Sequence, residues 1–454
     1  MVRFFAEVST GTGAPIQLEI GDADVKRRIF AGIGVVLTAA LALTGCGSSG
    51  SETGSSGDSN SLTVWAWDPA FNIFAMKEAE KIYQKDHPDF TLNIQEVPWD
   101  DLQTKLITLA SSGQTSDLPD IFLMQNNAFQ KNVQNFPELF SDLAGTQIPF
   151  AEFPQGVVDY SVIDGTNYGV PFDSGTAIGA YRTDLLEQAG LTVKDFENIT
   201  WDQFIENGKK VKEATGKPLI TSVAGESDLI LMMLQSAGSS MFGDNGDVTI
   251  ANNDVLKEAV DVYSRLVKEG VLVETNSWDE YVGSVVNGNA AGTINGVWIL
   301  GSIQTAEDQL GKWAVTDIPR LSKSANATNY SANGGSSWAI SSNANKELAA
   351  DFLAKTFAGS TELYDNILHQ AGAVANWLPA GASDAYNSKL DFFGGQAVFA
   401  DVLSYSKQVP SNNTGVYYYE GRIAVSAALT KVIGGANVDD ALAEAQKTVE
   451  FNMQ

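Results

Sequence analysis

One cysteine and two histidines stand among 454 residues. A lone cysteine excludes an intrachain disulfide, whatever compartment the chain reaches. Two histidines leave little for imidazole catalysis or a histidine-ligated metal. His87 precedes Pro88 at a predicted helix end and His369 falls in an amphipathic pattern, so both read as structural. Basic residues are scarce as well: 28 Lys and Arg face 55 Asp and Glu, a net charge of −27. That sign repels nucleic-acid phosphates and anionic lipid headgroups, and it argues against a strongly anionic ligand. No Gly-x-Ser-x-Gly elbow, His-Glu-x-x-His pair or P-loop occurs, and no internal repeat. Nothing in the chain implies a metal or a cofactor.

Long apolar runs are also missing, with one exception. From Ile29 to Leu43 an apolar stretch of about fifteen residues follows the basic cluster Lys26-Arg27-Arg28. It falls short of the ~20 residues that cross a bilayer as a helix. Basic flank, apolar centre and small residues at the end make a secretory signal. The stretch closes on Leu43-Thr44-Gly45-Cys46, which resembles a bacterial lipobox. That resemblance implies a diacylglycerol on the Cys46 thiol, further acylation such as palmitate, cleavage before Cys46, and a protein lipid-anchored at the extracellular face of the cell membrane. Two chains make physical sense, since each buried methylene adds only ~0.8 kcal/mol. The competing reading, a core helix with a chance cysteine, leaves the basic flank unexplained. The mildly acidic stretch Met1–Asp24 sits oddly before a signal; either synthesis starts at Val25 or the extension is real.

From Gly47 the chain reads GSSGSETGSSGDSNS, a composition that buries no apolar surface and behaves as a flexible tether. The expected organisation is therefore an extension plus signal over 1–45, a tether over 46–61, and a folded body from Leu62. That body is too long for one core and fits two domains. It opens with Leu62–Trp67 as a strand, Ala75–Lys85 as a helix, Phe90–Ile94 as a strand, Trp99–Leu109 as a helix and Leu118–Met124 as a strand. A β-α-β-α-β opening implies a parallel sheet with right-handed crossovers, hence an α/β fold. Further helices are predicted near 201–214, 229–237, 254–268, 346–357, 361–368, 419–433 and 438–452.

Several short phrases recur in a specific order: Ala110-Ser111-Ser112-Gly113 before Leu118-Pro119-Asp120-Ile121, then Tyr168-Gly169-Val170-Pro171, Gly292-Thr293-Ile294-Asn295-Gly296-Val297-Trp298, and Asn345-Lys346-Glu347-Leu348-Ala349. Together they resemble the carbohydrate-binding cluster of extracellular solute-binding proteins of ABC importers, the maltose-binding-protein-like group. The resemblance implies two α/β lobes, each a mostly parallel sheet flanked by helices, joined by several crossing segments, with an oligosaccharide in the cleft and ABC permease subunits as partners. Crossings near 171–173, 333–337 and 392–396 would give one lobe from 62–172 and 336–392, and a second from 173–335 and 393–454.

A sugar offers hydroxyls and flat C–H faces, so its site needs aromatic rings together with carboxylates and amides. Trp67, Asp68 and Asn72 follow the first strand; the bland alternative is a core tryptophan and a helix cap. Gln125, Asn126 and Asn127 follow the third strand, where a plain turn is the alternative. Glu226 lies at a strand exit of the second lobe. Gly334 and Gly335 allow close backbone approach in a crossing, and Trp377 follows a flexible Ala371–Val374 stretch. By resemblance, Asp173 stands where the family carries a sugar-binding carboxylate, and Trp298 where a tryptophan stacks on a sugar ring. Among Tyr417, Tyr418 and Tyr419 one ring stacks while the others pack, and Tyr418 is assigned to the site. Trp99, Trp201, Trp278, Trp313 and Trp338 read as core or staple residues. The rival classes are a secreted glycoside hydrolase, which would need Asp173 and Glu226 paired at catalytic separation, and a glycan-binding adhesin. Mass spectrometry of membrane-extracted protein should find Cys46 diacylated at the mature N-terminus; an unmodified thiol there would overturn the anchor.

Overall fold

The computed structural model describes residues 60–454 apart from Ala70 and Ser174. The signal, Cys46 and nearly all of the tether lie outside the described residues. Where the body begins, alternation decides the architecture. In β1 (Ser61–Ala66) Leu62, Val64 and Ala66 join one core while Trp65 joins another on the opposite face. The chain continues through α1 (Asn72–Tyr83), β2 (Thr91–Glu96), α2 (Trp99–Ser112) and β3 (Ile121–Gln125). β1 pairs in parallel with both β2 and β3, as a β-α-β-α-β opening requires. β3 repeats the split, with Ile121 and Leu123 on one side and Phe122 and Met124 on the other.

After α3 (Phe129–Asn135) the chain reaches β4 (Val170–Asp173) and β5 (Ala177–Arg182). β4 belongs to the first sheet and β5 to a second one. Next come α4 (Trp201–Thr215), β6 (Ile220–Val223), α5 (Asp228–Ser236), α6 (Asp254–Lys268), β7 (Leu272–Thr275), α7 (Trp278–Val286), β8 (Gly292–Gly296) and β9 (Trp313–Thr316). Local chemistry sets several of these ends. Thr200 and Gln203 form a reciprocal capping box at the start of α4, and Gly216 closes it in the left-handed conformation. The Asn253 side chain accepts from Leu256 N–H at 3.0 Å to start α6. The chain then returns through β10 (Ser336–Ile340), α8 (Lys346–Lys355), α9 (Thr361–Ala371), α10 (Val398–Ser406), α11 (Tyr418–Ile433) and α12 (Val438–Asn452).

The first sheet has the order β2-β1-β3-β10-β4. Only β10 runs against its neighbours, so four strands share one direction. Its two cores hold α1, α8 and α9 on one face and α2 and α3 on the other. The second set of strands corrects the expectation of a mostly parallel sheet in each lobe. β8-β5-β9 is antiparallel throughout, and only the pair β6-β7 is parallel. The run Ala177–Arg182 is buried at every position, and a fully buried run carries no mark of its neighbours' direction. α4, α5, α6, α11 and α12 pack around a separate core containing Trp201, Tyr263 and Leu429. Two short strands, β7 and β9, and the helices α3, α7 and α10 were not predicted; each is brief or lacks a clean period in the sequence.

The sheets are joined by two connections that pair with each other. Ala177 N–H donates to Ser331 O and Asn333 N–H to Gly175 O, both at 2.8 Å. Gly175 has φ +58°, and a Cβ there would lie 2.2 Å from Asn333 O. Gly175→Ala should therefore destabilise by at least about 2 kcal/mol, from the left-handed backbone and the clash together. Urea denaturation checks this; a variant within error of the parent would mean the paired connections yield freely.

Candidate functional site

The site is built where those connections meet the ends of the strands. β4 ends at Asp173 and β10 begins at Ser336, which face each other in the ladder. The Ser336 hydroxyl donates to Asp173 Oδ1 in a short hydrogen bond. Asp173 is buried, and that burial pushes its carboxyl up to about 6 against the opposing pull of the Ser336 hydroxyl and nearby backbone N–H groups. Gly334 and Gly335 precede Ser336 with φ of +79° and +95°. Two consecutive left-handed residues turn the chain sharply away from the sheet. Asn126, at the exit of β3, fastens that turn: its N–H donates to Gly335 O at 3.0 Å and its Oδ1 accepts from the Ser337 hydroxyl at 2.8 Å. The Asn126 Nδ2 is buried with no protein partner.

Asn333 carries the arrangement to the other sheet. Its carbonyl accepts from Trp298 Nε1 at 3.0 Å, and its Nδ2 donates to Asn295 Oδ1 at 2.8 Å. Asn295 Nδ2 donates in turn to the Tyr281 hydroxyl at 2.8 Å. Trp298 follows β8 after Gly296, where any Cβ would lie 2.2 Å from the indole nitrogen. The glycine therefore lets the indole fold back over its own strand end. Trp278 opens α7 behind a Ser277 cap. Its ring centroid is 5.6 Å from that of Trp298 at a tilt of 48° and 5.0 Å from that of Tyr281. The Trp278 residue remains 45% exposed.

Charge enters from α5 and α11. Arg422 pairs with Asp228 at 2.6 Å and with Glu226 at 3.6 Å. Glu226 is pushed above the usual carboxylate range by partial burial and then by the neighbouring Asp228. Asp228 Oδ2 also accepts from Asn333 Nδ2 at 3.4 Å. Glu226, Asp228, Trp278, Tyr281, Asn295 and Asn333 line one cavity.

The structure thus joins Asp173, Asn126, Gly334, Gly335, Trp298 and Glu226 through a continuous chain of contacts. Gln125 sits beside Asn126, and its Oε1 accepts from the Tyr419 hydroxyl at 3.0 Å. Trp67 is half-buried at the end of β1, edge-on to Trp99 with centroids 5.4 Å apart. Asp68 is exposed and accepts from Phe71 N–H at 3.1 Å, a capping contact at the start of α1.

Three assignments are corrected. Asn72 is 1% exposed, and its Oδ1 accepts from the backbone N–H groups of Trp67 and Asp68 at 3.1 and 3.0 Å. It shapes the loop and presents nothing outward. Trp377 is 9% exposed in a core that includes Tyr386 and Ala380, and its indole donates to Glu152 at 2.7 Å. The flexibility inferred around it does not reflect its packing. Tyr418 is 8% exposed inside the α11 core, and burial drives its hydroxyl far above the ordinary tyrosine range. Tyr419, not Tyr418, reaches the β3 exit. Trp278, read as core or staple, is exposed. Asn333, Asp228 and Arg422 were not singled out; Asp228 lies two residues from Glu226, whereas no local feature of the sequence ties Arg422 to either.

Comparison with known proteins gives the family and the fold. Residues 68–362 fit the family model of bacterial extracellular solute-binding protein. A lactose-binding protein of Rhizobium radiobacter is 39% identical over 420 residues, covering 92% of this chain and 97% of the relative. An arabinooligosaccharide-binding protein of Halalkalibacterium halodurans is 24% identical over 84% of this chain and 87% of its own. Among solved structures, the galacto-N-biose/lacto-N-biose I-binding protein of a Bifidobacterium longum ABC transporter, in complex with lacto-N-biose, superposes with a TM-score of 0.70 at 21% identity, over 87% of this chain and 96% of that one. The fold is that two-lobed α/β architecture, and by the family model and the lactose-binding relative alike, the chain belongs to the bacterial extracellular solute-binding protein family.

Proposed function

We propose that the protein captures an uncharged oligosaccharide between its lobes and passes it to the permease of an ABC importer without altering it. The observation that carries this reading is the pairing of Trp298 and Trp278 beside a fan of amide and carboxylate groups. Apolar sugar faces stack on such rings, and hydroxyls find bidentate partners in Asn295, Asn333, Asp228 and Asp173. Asn126, as enclosed as Asn72, supports the site by holding the Gly335–Ser337 turn and does not face the ligand itself. The acidic surroundings disfavour anionic sugars. The 39% identical relative is a lactose-binding protein, so lactose is the first sugar to try.

In this reading the lobes are 62–172 with 336–392, and 173–335 with 393–454, and the ligand favours the closed arrangement by touching both. Cys46, acylated at the mature N-terminus, holds the protein at the outer face of the cell membrane. No helix among the described residues is long and apolar enough to cross a membrane. Release of free monosaccharides from lactose by purified protein would favour the hydrolase reading instead.

Trp298→Ala should lose most lactose affinity, at least about tenfold, because stacking and the Asn333 contact go together. Trp278→Ala, lacking that second contact, should lose less. Isothermal titration calorimetry checks both; parent-like binding by Trp298→Ala would remove it from the site. The Asp173 carboxyl gives a separate test. Its folded pKa lies above its unfolded one, so the native state holds the extra proton between roughly pH 4 and 6, and this residue's contribution to stability falls as pH rises through that window. The destabilisation reaches up to about 3 kcal/mol above pH 6. Asp173→Asn should therefore gain on the parent as pH rises from about 4 to 6 in thermal melts. A gap independent of pH would show that Asp173 stays ionised throughout.

A further inference from the structure

The first turn of α11 touches both halves of the molecule. The Tyr419 ring packs against the core of α4, α5 and α6 and also against the core of α2, β3 and α3. Its hydroxyl donates to Gln125 at the end of β3. The next residue, Glu420, forms an ion pair with Lys131 of α3 at 2.6 Å. Two residues further, Arg422 holds Asp228 and Glu226 at the candidate site. One helical turn therefore carries a contact to the opposite lobe and a contact to the acidic pair of the candidate site.

We propose that the Lys131–Glu420 ion pair is a positioning contact between the lobes, which keeps the cleft shut and sets how long a bound sugar stays. It touches none of the residues that line the Trp278 cavity, so it acts through the lobes and not on the ligand. The side chains of Lys131 and Glu420 retain 33% and 25% exposure, well below a free surface pair, so solvent screens them less than usual. The second carboxylate oxygen of Glu420 is buried without a hydrogen-bond partner, which makes Lys131 the group that compensates its charge. Glu420 also lies in the first turn of α11, where the helix dipole favours an anion. Both partners are thus held on rigid helices, and little side-chain freedom remains to be lost when the lobes meet. A contact that favours the closed state lengthens the life of the complex and leaves encounter nearly unchanged.

The proposal rests on the reading of the inter-lobe cleft as a sugar site, and the experiment separates the two. In the full chain carrying Cys46→Ser, Lys131→Cys and Glu420→Cys are combined and treated with a short bismaleimide. A cross-link in ligand-free protein, increased by lactose, is expected. Both thiols labelled with no cross-link would overturn the inter-lobe contact whether or not any sugar binds. In stopped-flow measurements with lactose, Glu420→Gln should dissociate about three- to fivefold faster, with association changed less than about twofold. Added salt should speed dissociation in the parent and not in Glu420→Gln, and the exchanged pair Lys131→Glu with Glu420→Lys should recover the slow rate. Unchanged dissociation in Glu420→Gln would overturn the proposal. Where lactose fails to bind the parent, the lactose assignment falls and the cross-link alone decides the contact.

Discussion

The hydrogen-bonded pair of connections, 175–177 against 331–333, is the constraint on which the rest depends. The two sheets share one hydrophobic core, in which Ile178, Ala180 and Val315 cluster with Phe172 and Trp338, but apolar packing alone would let them drift relative to each other. They do not, because Gly175 and Asn333 approach too closely for any side chain at position 175, and because Trp298 donates its indole N–H to Asn333 O. Backbone polar groups at this junction are satisfied by the opposite connection, which a buried crossing requires. The binding chemistry is then hung on the same atoms. Asn333 links the connection to Asn295 and Asp228, and Ser336 links it to Asp173. The paired connections and the candidate site are one construction, since Asn333 and Asp173 belong to both.

Electrostatics follows from that placement. Burial, rather than any neighbouring charge, raises the Asp173 carboxyl, whereas Glu226 owes part of its shift to Asp228 and is opposed by Arg422. Partly desolvated carboxylates accept hydrogen bonds from hydroxyls strongly, which suits a neutral polyhydroxylated ligand. The same Arg422 lies on the turn of α11 that reaches α3. The Asp228 pair and the Lys131 pair thereby lie on a single helical turn.

Much of the fold was legible because burial leaves a period. Leu62, Val64 and Ala66 alternate with Trp65, and α6 follows the predicted Asp254–Lys268 span because its apolar residues recur on one face. Strand direction was not legible: Ala177–Arg182 is buried on both faces and pairs antiparallel where parallel was expected. At the site, Asp173 and Trp298 were singled out from local phrases, and both lie at the junction. Asn72, Trp377 and Tyr418 were placed by position along the chain, and each turned out to face inward. Adjacent tyrosines on a helix point about 100° apart, so only packing could choose Tyr419 over Tyr418.

Sequence alone determined the acidic balance, the exclusion of an intrachain disulfide, the β-α-β-α-β opening and the family, since these reside in composition, local period and short ordered phrases. Tertiary structure decided which residues meet. Asp228, Asn333 and Arg422 are far apart in the chain and share one cavity wall or ion pair only because the second connection returns alongside the first. Trp278 is exposed only because α7 starts at that wall. Contacts between residues so distant in sequence depend on how whole elements dock, and no local pattern of side chains carries that information.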